Sequence, residues 1–338
     1  MNEKEKTRRE LIAIGSKYET DTTVTVGIAT QKGRTRPLKV VLESLLKQDC
    51  KVHVYFNEFK GKIPKSIKDI GKQFPGKLTM FESEKEAGDL GSYGGFYKIG
   101  EITGIFASCD DDIIYPDNYI ETIKEAIKEY DNQFIIAYHG RIFTPDKPIF
   151  AYYTGAEKVF DFARDQKKDV LINVVGAGVC AFNNDIVQLT IDAFTHKHAK
   201  DISLSIFAQN NEIPIVCKAH RAGFLRNQMN FNRATSILNT SLQNDQYRVD
   251  LMNSIQWQII NPTKKLIIDT AIENAKPEQG KPERDRDETV YVRGYGGAPM
   301  ISRYRNVKNK LERGTYAEIT KKQYEIELKA FNANRKPN

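Results

Sequence analysis

Short apolar runs alternate with amphipathic segments over the first two thirds of the chain. Runs rich in β-branched residues, typical of buried strands, lie at 24–30, 51–56, 78–81, 104–108, 134–138, 170–175 and 213–218. Apolar residues at helical spacing occur between several of them, at 37–46, 63–74, 117–130 and 201–209. This alternation predicts an α/β domain with an open, mainly parallel sheet flanked by helices.

The pattern changes after residue 226. We predict an N-terminal segment at 1–22, the α/β domain at 23–226 and a helical extension packed on that domain at 227–272. A polar linker at 273–289 and a basic C-terminal segment at 290–338, with a final helix at 316–331, would follow.

Composition narrows the class of protein. Of the 338 residues, 40% are hydrophobic, which is enough for a substantial core. No apolar run is long enough for a transmembrane helix, and the charged N-terminus does not look like a secretion signal, so we expect a cytoplasmic protein. The four cysteines are far apart and form no CxxC pair, so we expect buried free thiols.

The positive charge is concentrated at the C-terminus. The chain carries a net charge of +7, and residues 301–338 hold ten Lys or Arg against four Glu. Such a segment is suited to a polyanion or an anionic membrane surface, although it is also compatible with simple solvation.

Three adjacent carboxylates, Asp110, Asp111 and Asp112, follow an apolar strand directly. At the carboxyl edge of a parallel sheet they would form an anionic pocket for a hard divalent cation, which would neutralise charge on a diphosphate. The alternative is a solvated acidic turn that caps the helix starting near Asp117.

The run GIFASCDDDIIYPDNYI resembles the DxD segment of the GT-A glycosyltransferases, especially the large inverting group known as family 2. The similarity extends to VTVGIAT, GDLGSYGGFYKI, VVGAGVCAF and KDISLSIFAQ, and spans residues 24–225, roughly 60% of the chain. It implies a GT-A (Rossmann-like) fold and a metal-dependent inverting transferase. Such an enzyme moves a sugar from a nucleotide diphosphate, by similarity a UDP-linked one, to an acceptor hydroxyl.

The resemblance also implies roles for individual residues. A Mn²⁺ or Mg²⁺ ion would be held by Asp110 and Asp112, with His220 as a further candidate ligand. Contacts with the nucleotide sugar are implied for Ala29, Thr30, Arg34, Asn57, Asp89, Gly91, Lys98, Asp110, Asp111, Gly176 and Gly178.

Two positions depart from the family pattern. Asn57 stands where relatives usually have a base-binding Asp, and it is alternatively a turn residue. Ser92 stands where relatives often have a phosphate-binding cation, so Lys98 or Arg34 would have to supply that charge. The glycine-rich stretch around Asp89 and Gly91 is alternatively an ordinary surface loop.

Asp201, at the head of a predicted helix, is implied to be the general base that deprotonates the acceptor. The alternative is that Asp201 only caps its helix. His196 and His198 lie nearby with roles left open, and His220 is alternatively an ordinary polar residue.

The acceptor is the least determined feature. A bacterial surface glycan is the first candidate, with the basic segment near an anionic membrane or a charged glycan. DNA with hydroxymethylated bases is the second, because cations and aromatics intermix near the C-terminus, at Arg293, Tyr295, Arg303 and Arg305. The acceptor is alternatively a protein or a small molecule. Two other functions also stay open: a nucleotidyltransferase and a non-catalytic nucleic-acid-binding module.

Overall fold

The computed structural model describes residues 22–145, 147–228 and 246–261, together with the backbone of 289–294, 300–303 and 316–319. The chain divides into two compact units. The first runs to Ile260 apart from Asn210–Glu212, and the second comprises those three residues and the chain from Asn261.

An eight-stranded sheet forms the centre of the first unit. The strands of this unit are β1 (Val24–Gln31), β2 (Lys51–Asn57), β3 (Leu78–Glu82), β4 (Ile105–Asp110), β5 (Ile113–Ile114), β6 (Ile135–Ala137), β7 (Gly140–Ile142), β8 (Lys158–Phe160), β9 (Val170–Ile172), β10 (Val174–Val175), β11 (Val179–Asn183), β12 (Ile215–Cys217) and β13 (Arg226–Asn227). The large sheet has the order β3-β2-β1-β4-β11-β6-β12-β9, in which β11 and β9 run antiparallel to their neighbours. The prediction of a mixed, mainly parallel sheet is confirmed.

Helices cover both faces of this sheet. They are α1 (Thr35–Leu45), α2 (Lys65–Gln73), α3 (Tyr119–Glu129), α4 (Asn184–Val187), α5 (Lys200–Asn210) and α6 (Gln246–Asn253). Buried residues of α1, α2 and α3 pack with alternate residues of β1 on one face, and residues of α5 pack with β11 in a second cluster. Each face is apolar because successive strand residues point to opposite sides. A third cluster joins α6 and Trp257 to the first turn of α5.

The strand order creates a topological switch point at one edge of the sheet, the place where open α/β sheets have a ligand-binding crevice. From β1 the chain passes through β2 to β3 on one side, and it then returns to β4 on the other side of β1. Both neighbours of β1 are parallel to it, so the connections diverge at the carboxyl ends of β1 and β4. In open α/β sheets, ligands bind at such a switch point.

The second unit contains a three-stranded antiparallel sheet of β14 (Thr289–Gly294), β15 (Met300–Arg303) and β16 (Tyr316–Ile319), with β14 in the middle. The predicted helix at 316–331 is therefore wrong for its first four residues. Tyr316–Ile319 instead pairs its backbone with β14, and tertiary pairing of this kind overrides a local helical pattern. The proposed domain boundaries stay predictions.

All four cysteines are free and buried, as the sequence predicted. Within the described residues, no helix has the length and apolarity needed to span a membrane.

Candidate active site

A buried polar cluster joins the carboxyl ends of β1 and β4. Thr30 donates its hydroxyl to Oδ2 of Asp111 at 2.7 Å. The Arg34 guanidinium donates from Nε to both Asp111 oxygens, at 2.9 and 3.0 Å, and from Nη2 to Oδ1 at 2.6 Å. Burial raises the pKa of Asp111, while Arg34 and Thr30 oppose that shift. The structure therefore brings three of the predicted nucleotide-site residues together.

Arg34 also pairs with the next carboxylate, because its Nη2 lies 2.7 Å from Oδ2 of Asp112. Burial disfavours the charge of Arg34, but Asp111 and Asp112 outweigh burial and the pKa of Arg34 is raised. Arg34 is thus committed to two carboxylates. The sequence suggested Arg34 or Lys98 as the source of phosphate-binding charge. The two carboxylates already neutralise the charge of Arg34, so Arg34 does not fill that role.

The main chain around Asp110 is fixed by Tyr115 and Gly178. The amide of Asp110 donates to the Tyr115 hydroxyl at 2.8 Å, and that hydroxyl donates to the Gly178 carbonyl at 2.9 Å. A Cβ added at Gly178 would collide with the Asp110 carboxylate. Gly178 is therefore required for space. Ala29 lies on the other side of this strand end, in register with Asp110.

Sequence reasoning missed Lys200, whose ammonium lies 2.5 Å from Oδ1 of Asp110. Burial opposes the charge of Lys200, yet Asp110 and Asp201 together raise its pKa. One sequence signal was available. Lys200 occupies the first turn of α5, where the helix dipole disfavours a cation, so a nearby anion was to be expected.

Asp201 faces away from its own helix. Its Oδ1 accepts from the Ala177 amide at 2.9 Å, and its Oδ2 accepts from the Tyr152 hydroxyl at 3.2 Å. The Tyr152 hydroxyl in turn accepts from Nη1 of Arg141 at 3.1 Å. Both of these bonds join the Asp201 side chain to neighbouring loops, which disfavours the helix-capping alternative.

Gly176 lies against His139, whose ring a Cβ at position 176 would meet. Burial, followed by Arg141, lowers the pKa of His139 to about 4, so this side chain is neutral at pH 7. Its Nδ1 is buried without a hydrogen-bond partner in the described part of the chain. His139 was not predicted from the sequence.

The glycine-rich stretch is tied to the segment before α5. Oδ1 of Asp89 accepts from the Gly91 amide at 2.9 Å, and Oδ2 pairs with Lys197 at 2.8 Å. Burial works against the charge of Asp89, but Lys197 and the Gly91 amide lower its pKa. Gly91 has a φ of +57° and lies against the Lys197 backbone, so it meets two conditions that favour glycine.

Asn57 uses its amide group to hold this stretch in place. Its Nδ2 donates to the Gly91 carbonyl at 2.9 Å, and its Oδ1 accepts from the Leu90 amide at 3.0 Å. These bonds give Asn57 a positioning role in the structure. Its predicted contact with a base stays a prediction.

Lys98 lies over two aromatic rings. Its ammonium is 5.7 Å from the ring centre of Phe81 and 5.9 Å from that of Tyr97, and its charge also influences His53. His53 precedes Asn57 by four residues, or about 13 Å along a strand. The contacts of Lys98 therefore do not support it as the second suggested source of phosphate-binding charge.

The predicted histidines are separate from the triplet in their contacts. Nδ1 of His220 is 2.8 Å from the Lys218 carbonyl, and its ring packs edge-on against Tyr138. The preceding strand, β12, is three strands from β4 in the sheet, about 14 Å across. His196 stacks on Tyr247 with ring centres 3.7 Å apart.

The triplet does not present the predicted metal site. Asp111 uses both oxygens on Thr30 and Arg34, while Asp110 and Asp112 each contact a protein cation. In the part of the chain that the structure describes, no three His, Cys, Asp or Glu side chains are grouped to hold a metal. A divalent ion about 4 Å from an ammonium would be repelled by about 8 kcal/mol at an effective dielectric constant of about 20. The present contacts therefore do not fit Mn²⁺ or Mg²⁺.

The predicted acceptor contacts fall in the second unit. Arg293 and Arg303 lie on β14 and β15, for which the structure describes the backbone. Tyr295 and Arg305 lie outside the described residues. Contact of these four residues with an acceptor stays a prediction.

No protein-family model matches the chain, and no curated protein matches it. Solved structures give matches to part of it. A mannosyltransferase from Pyrobaculum calidifontis, in complex with GDP-Man and Mn²⁺, is 14% identical and has a TM-score of 0.33, with 54% of this chain and 53% of that chain covered.

Two structures of S. aureus TarS 1–349 also match. The complex with UDP is 10% identical with a TM-score of 0.37, and covers 56% of this chain and 54% of that chain. The complex with UDP-GlcNAc is 12% identical with a TM-score of 0.39, and covers 60% and 57%. The chain thus matches little more than half the length of each of these proteins.

Proposed function

We propose that the protein is a glycosyltransferase that moves a sugar from a nucleotide diphosphate to an acceptor hydroxyl. One observation carries this proposal: Thr30, Arg34 and the acidic triplet lie together at the ends of β1 and β4, and Lys200, which pairs with Asp110, directly precedes Asp201 on α5. A diphosphate bound at the switch point would then have a carboxylate base on the acceptor side.

Asp201 acts as the general base in this proposal. The Ala177 amide and the Tyr152 hydroxyl orient its two oxygens, and each oxygen keeps a lone pair for the acceptor proton. The acceptor oxygen attacks the anomeric carbon as its proton passes to Asp201, and the bond to the diphosphate breaks on the opposite side. A single displacement of this kind inverts the anomeric centre.

The donor end is formed by the first strand and the glycine-rich stretch. The bonds of Asn57 and Asp89 hold Leu90 and Gly91 in place, and the missing side chain of Gly91 lets the backbone of Lys197 approach this stretch closely. A uridine diphosphate sugar is the first donor to test, because the sequence resemblance implies a uracil site. Since the triplet does not fit a metal ion, no step is assigned to one.

A surface glycan is the first acceptor to test. DNA with hydroxymethylated bases is the second, and one specific observation favours it: residues 301–338 hold ten Lys or Arg against four Glu. Binding of duplex DNA through this segment would weaken steeply as salt rises. Binding to vesicles of anionic lipid tests the membrane alternative for the same segment.

The experiment incubates the full chain with a panel of nucleotide sugars and measures release of the nucleoside diphosphate, with and without each acceptor. We expect one sugar to support transfer, with an inverted anomeric centre by NMR. Asp201→Asn should lower the transfer rate by about 10²- to 10⁴-fold while nucleotide binding persists. Asp192→Asn, at an exposed position, is the matched control.

Two outcomes would replace the proposal. Release of pyrophosphate from a nucleoside triphosphate would identify a nucleotidyltransferase. Binding of nucleic acid without turnover of any nucleotide sugar would identify a non-catalytic module.

A further inference from the structure

Lys200 contacts the carboxylate that the sequence assigned to a metal ion. Its Nζ lies 2.5 Å from Oδ1 of Asp110, and its side chain is 14% exposed while that of Asp110 is 38% exposed. The ammonium is thus largely enclosed, and the carboxylate beside it is partly exposed. Lys200 and Asp110 are 90 residues apart in sequence, so the fold itself creates this pair.

The helix does not explain a lysine at this position. Lys200 is the first residue of α5, and the positive end of the helix dipole disfavours a cation there. The Asp110 carboxylate, in contact with the ammonium, supplies the negative charge that holds it. The lysine therefore connects the end of β4 with the helix that carries the proposed base.

An ammonium group has three N–H donors. Asp110 accepts one, which leaves capacity to donate to oxygens of a diphosphate in the same crevice. A divalent ion in a GT-A site would have the same task of joining the strand-end carboxylate to the diphosphate. The other cation near the triplet, Arg34, is bound to Asp111 and Asp112 instead.

We propose that Lys200 takes the position of the divalent cation, so that the protein binds nucleoside diphosphates and transfers sugar without a metal ion. This inference rests on the proposed function, because it concerns the donor site of the same reaction. Lys200 would contact the departing diphosphate directly and stabilise its charge as the sugar leaves.

Calorimetry with the full chain and a panel of nucleoside diphosphates tests the inference through binding alone. For the wild type we expect affinity in EDTA to equal affinity in Mn²⁺. Lys200→Ala should weaken binding in EDTA by about 10- to 100-fold, as expected when a hydrogen bond to a charged group is lost. Added Mn²⁺ should restore part of this loss, because Asp110 is then free to bind the ion. Lys200→Arg should keep metal-independent binding.

Lys124→Ala is the matched control, because Lys124 lies on α3 and pairs with Asp49 at 2.7 Å. The affinity of this variant for nucleoside diphosphates should be unchanged. Wild-type binding that EDTA abolishes and Mn²⁺ restores would overturn the metal-free site while leaving the glycosyltransferase proposal intact. Failure of every nucleoside diphosphate to bind, with or without Mn²⁺, would overturn both. The wild-type comparison decides the question even if Lys200→Ala does not fold.

Discussion

Arg34 and Asp111 form a bidentate ion pair that joins the loop after β1 to the end of β4. Only 10% of the Arg34 side chain and 6% of the Asp111 side chain are exposed. Because the pair lies at the point where the strand connections diverge, it fixes the crevice that the proposed reaction uses. Both residues were predicted to contact the nucleotide, and in the structure they contact each other.

The energetic consequence is that neither partner is replaceable alone. Asp111→Ala removes the carboxylate that binds the buried Arg34 guanidinium through both of its oxygens. We expect the free energy of unfolding in urea to fall by about 3–5 kcal/mol. The double variant Arg34→Met, Asp111→Leu should lose much less. Asp69→Asn, which breaks an exposed pair with Lys72, is the control and should change stability by less than about 1 kcal/mol. Equal losses for Asp111→Ala and Asp69→Asn would show that the pair is not buried in solution.

Gly178 is the second sensitive position. A Cβ there meets the Asp110 carboxylate, so Gly178→Ala should push that carboxylate aside and cost about 1–3 kcal/mol of stability. Affinity for the nucleoside diphosphate should fall as well, since the Lys200 contact depends on the position of Asp110. Gly100→Ala, which meets nothing within 4 Å, should leave both quantities unchanged. Unaltered nucleotide affinity in Gly178→Ala would mean that Asp110 does not face the ligand.

The sheet was largely predictable because its strands carry their own signal. The β-branched run in β1 reflects burial on both faces of the sheet, and the helical spacing of Leu38, Val41, Leu42 and Leu45 reflects burial of one helix face. A sequence expresses both patterns directly. Strand direction was less accessible. Strand β11 was not among the predicted runs, and its antiparallel pairing with β4 is set by tertiary contacts.

The site was predictable only where one segment carries the chemistry. The acidic triplet is contiguous, so its location at a strand end followed from the sequence. The cation that binds Asp110 is far from the triplet in sequence. Lys98 was suggested because it is close in sequence to the glycine-rich stretch, whereas Lys200 reaches Asp110 from another helix. His139 had no sequence signal, since its neutral state depends on burial and on the charges around it.

Tyr152 is expected to position Asp201 without touching the substrate. Tyr152→Phe removes the hydroxyl that donates to Oδ2 of Asp201 and accepts from Arg141. We expect kcat for sugar transfer to fall about tenfold, the effect of one lost hydrogen bond, with KM for the donor unchanged. Tyr130→Phe removes a matched hydroxyl that donates to Asp169 at 2.6 Å, and should leave kcat unchanged. A rise in KM with constant kcat would instead assign Tyr152 to donor binding.

His139 should make the protein less stable in mild acid. Its pKa is lowered to about 4 in the folded protein, first by burial and then by Arg141, although Asp201, Asp161 and Asp110 oppose the shift. In the unfolded chain this histidine has an ordinary pKa near 6.5, so between pH 6.5 and pH 4 the unfolded chain binds more protons than the folded protein. The stability that neutral His139 contributes is therefore present at pH 7 and is lost as the pH falls. We expect the contribution of His139 to the free energy of unfolding to decrease by about 2 kcal/mol between pH 7 and pH 5.

Urea unfolding of the wild type and of His139→Gln across this pH range measures the effect. Glutamine does not titrate, so the variant should lose less stability than the wild type over the same interval. The two curves should therefore converge towards pH 5. Parallel curves would mean that His139 is exposed enough to take up a proton in the folded protein, and that its unpartnered Nδ1 is reached by water. In that case the carboxylates around it would have to account for the acid sensitivity of the fold.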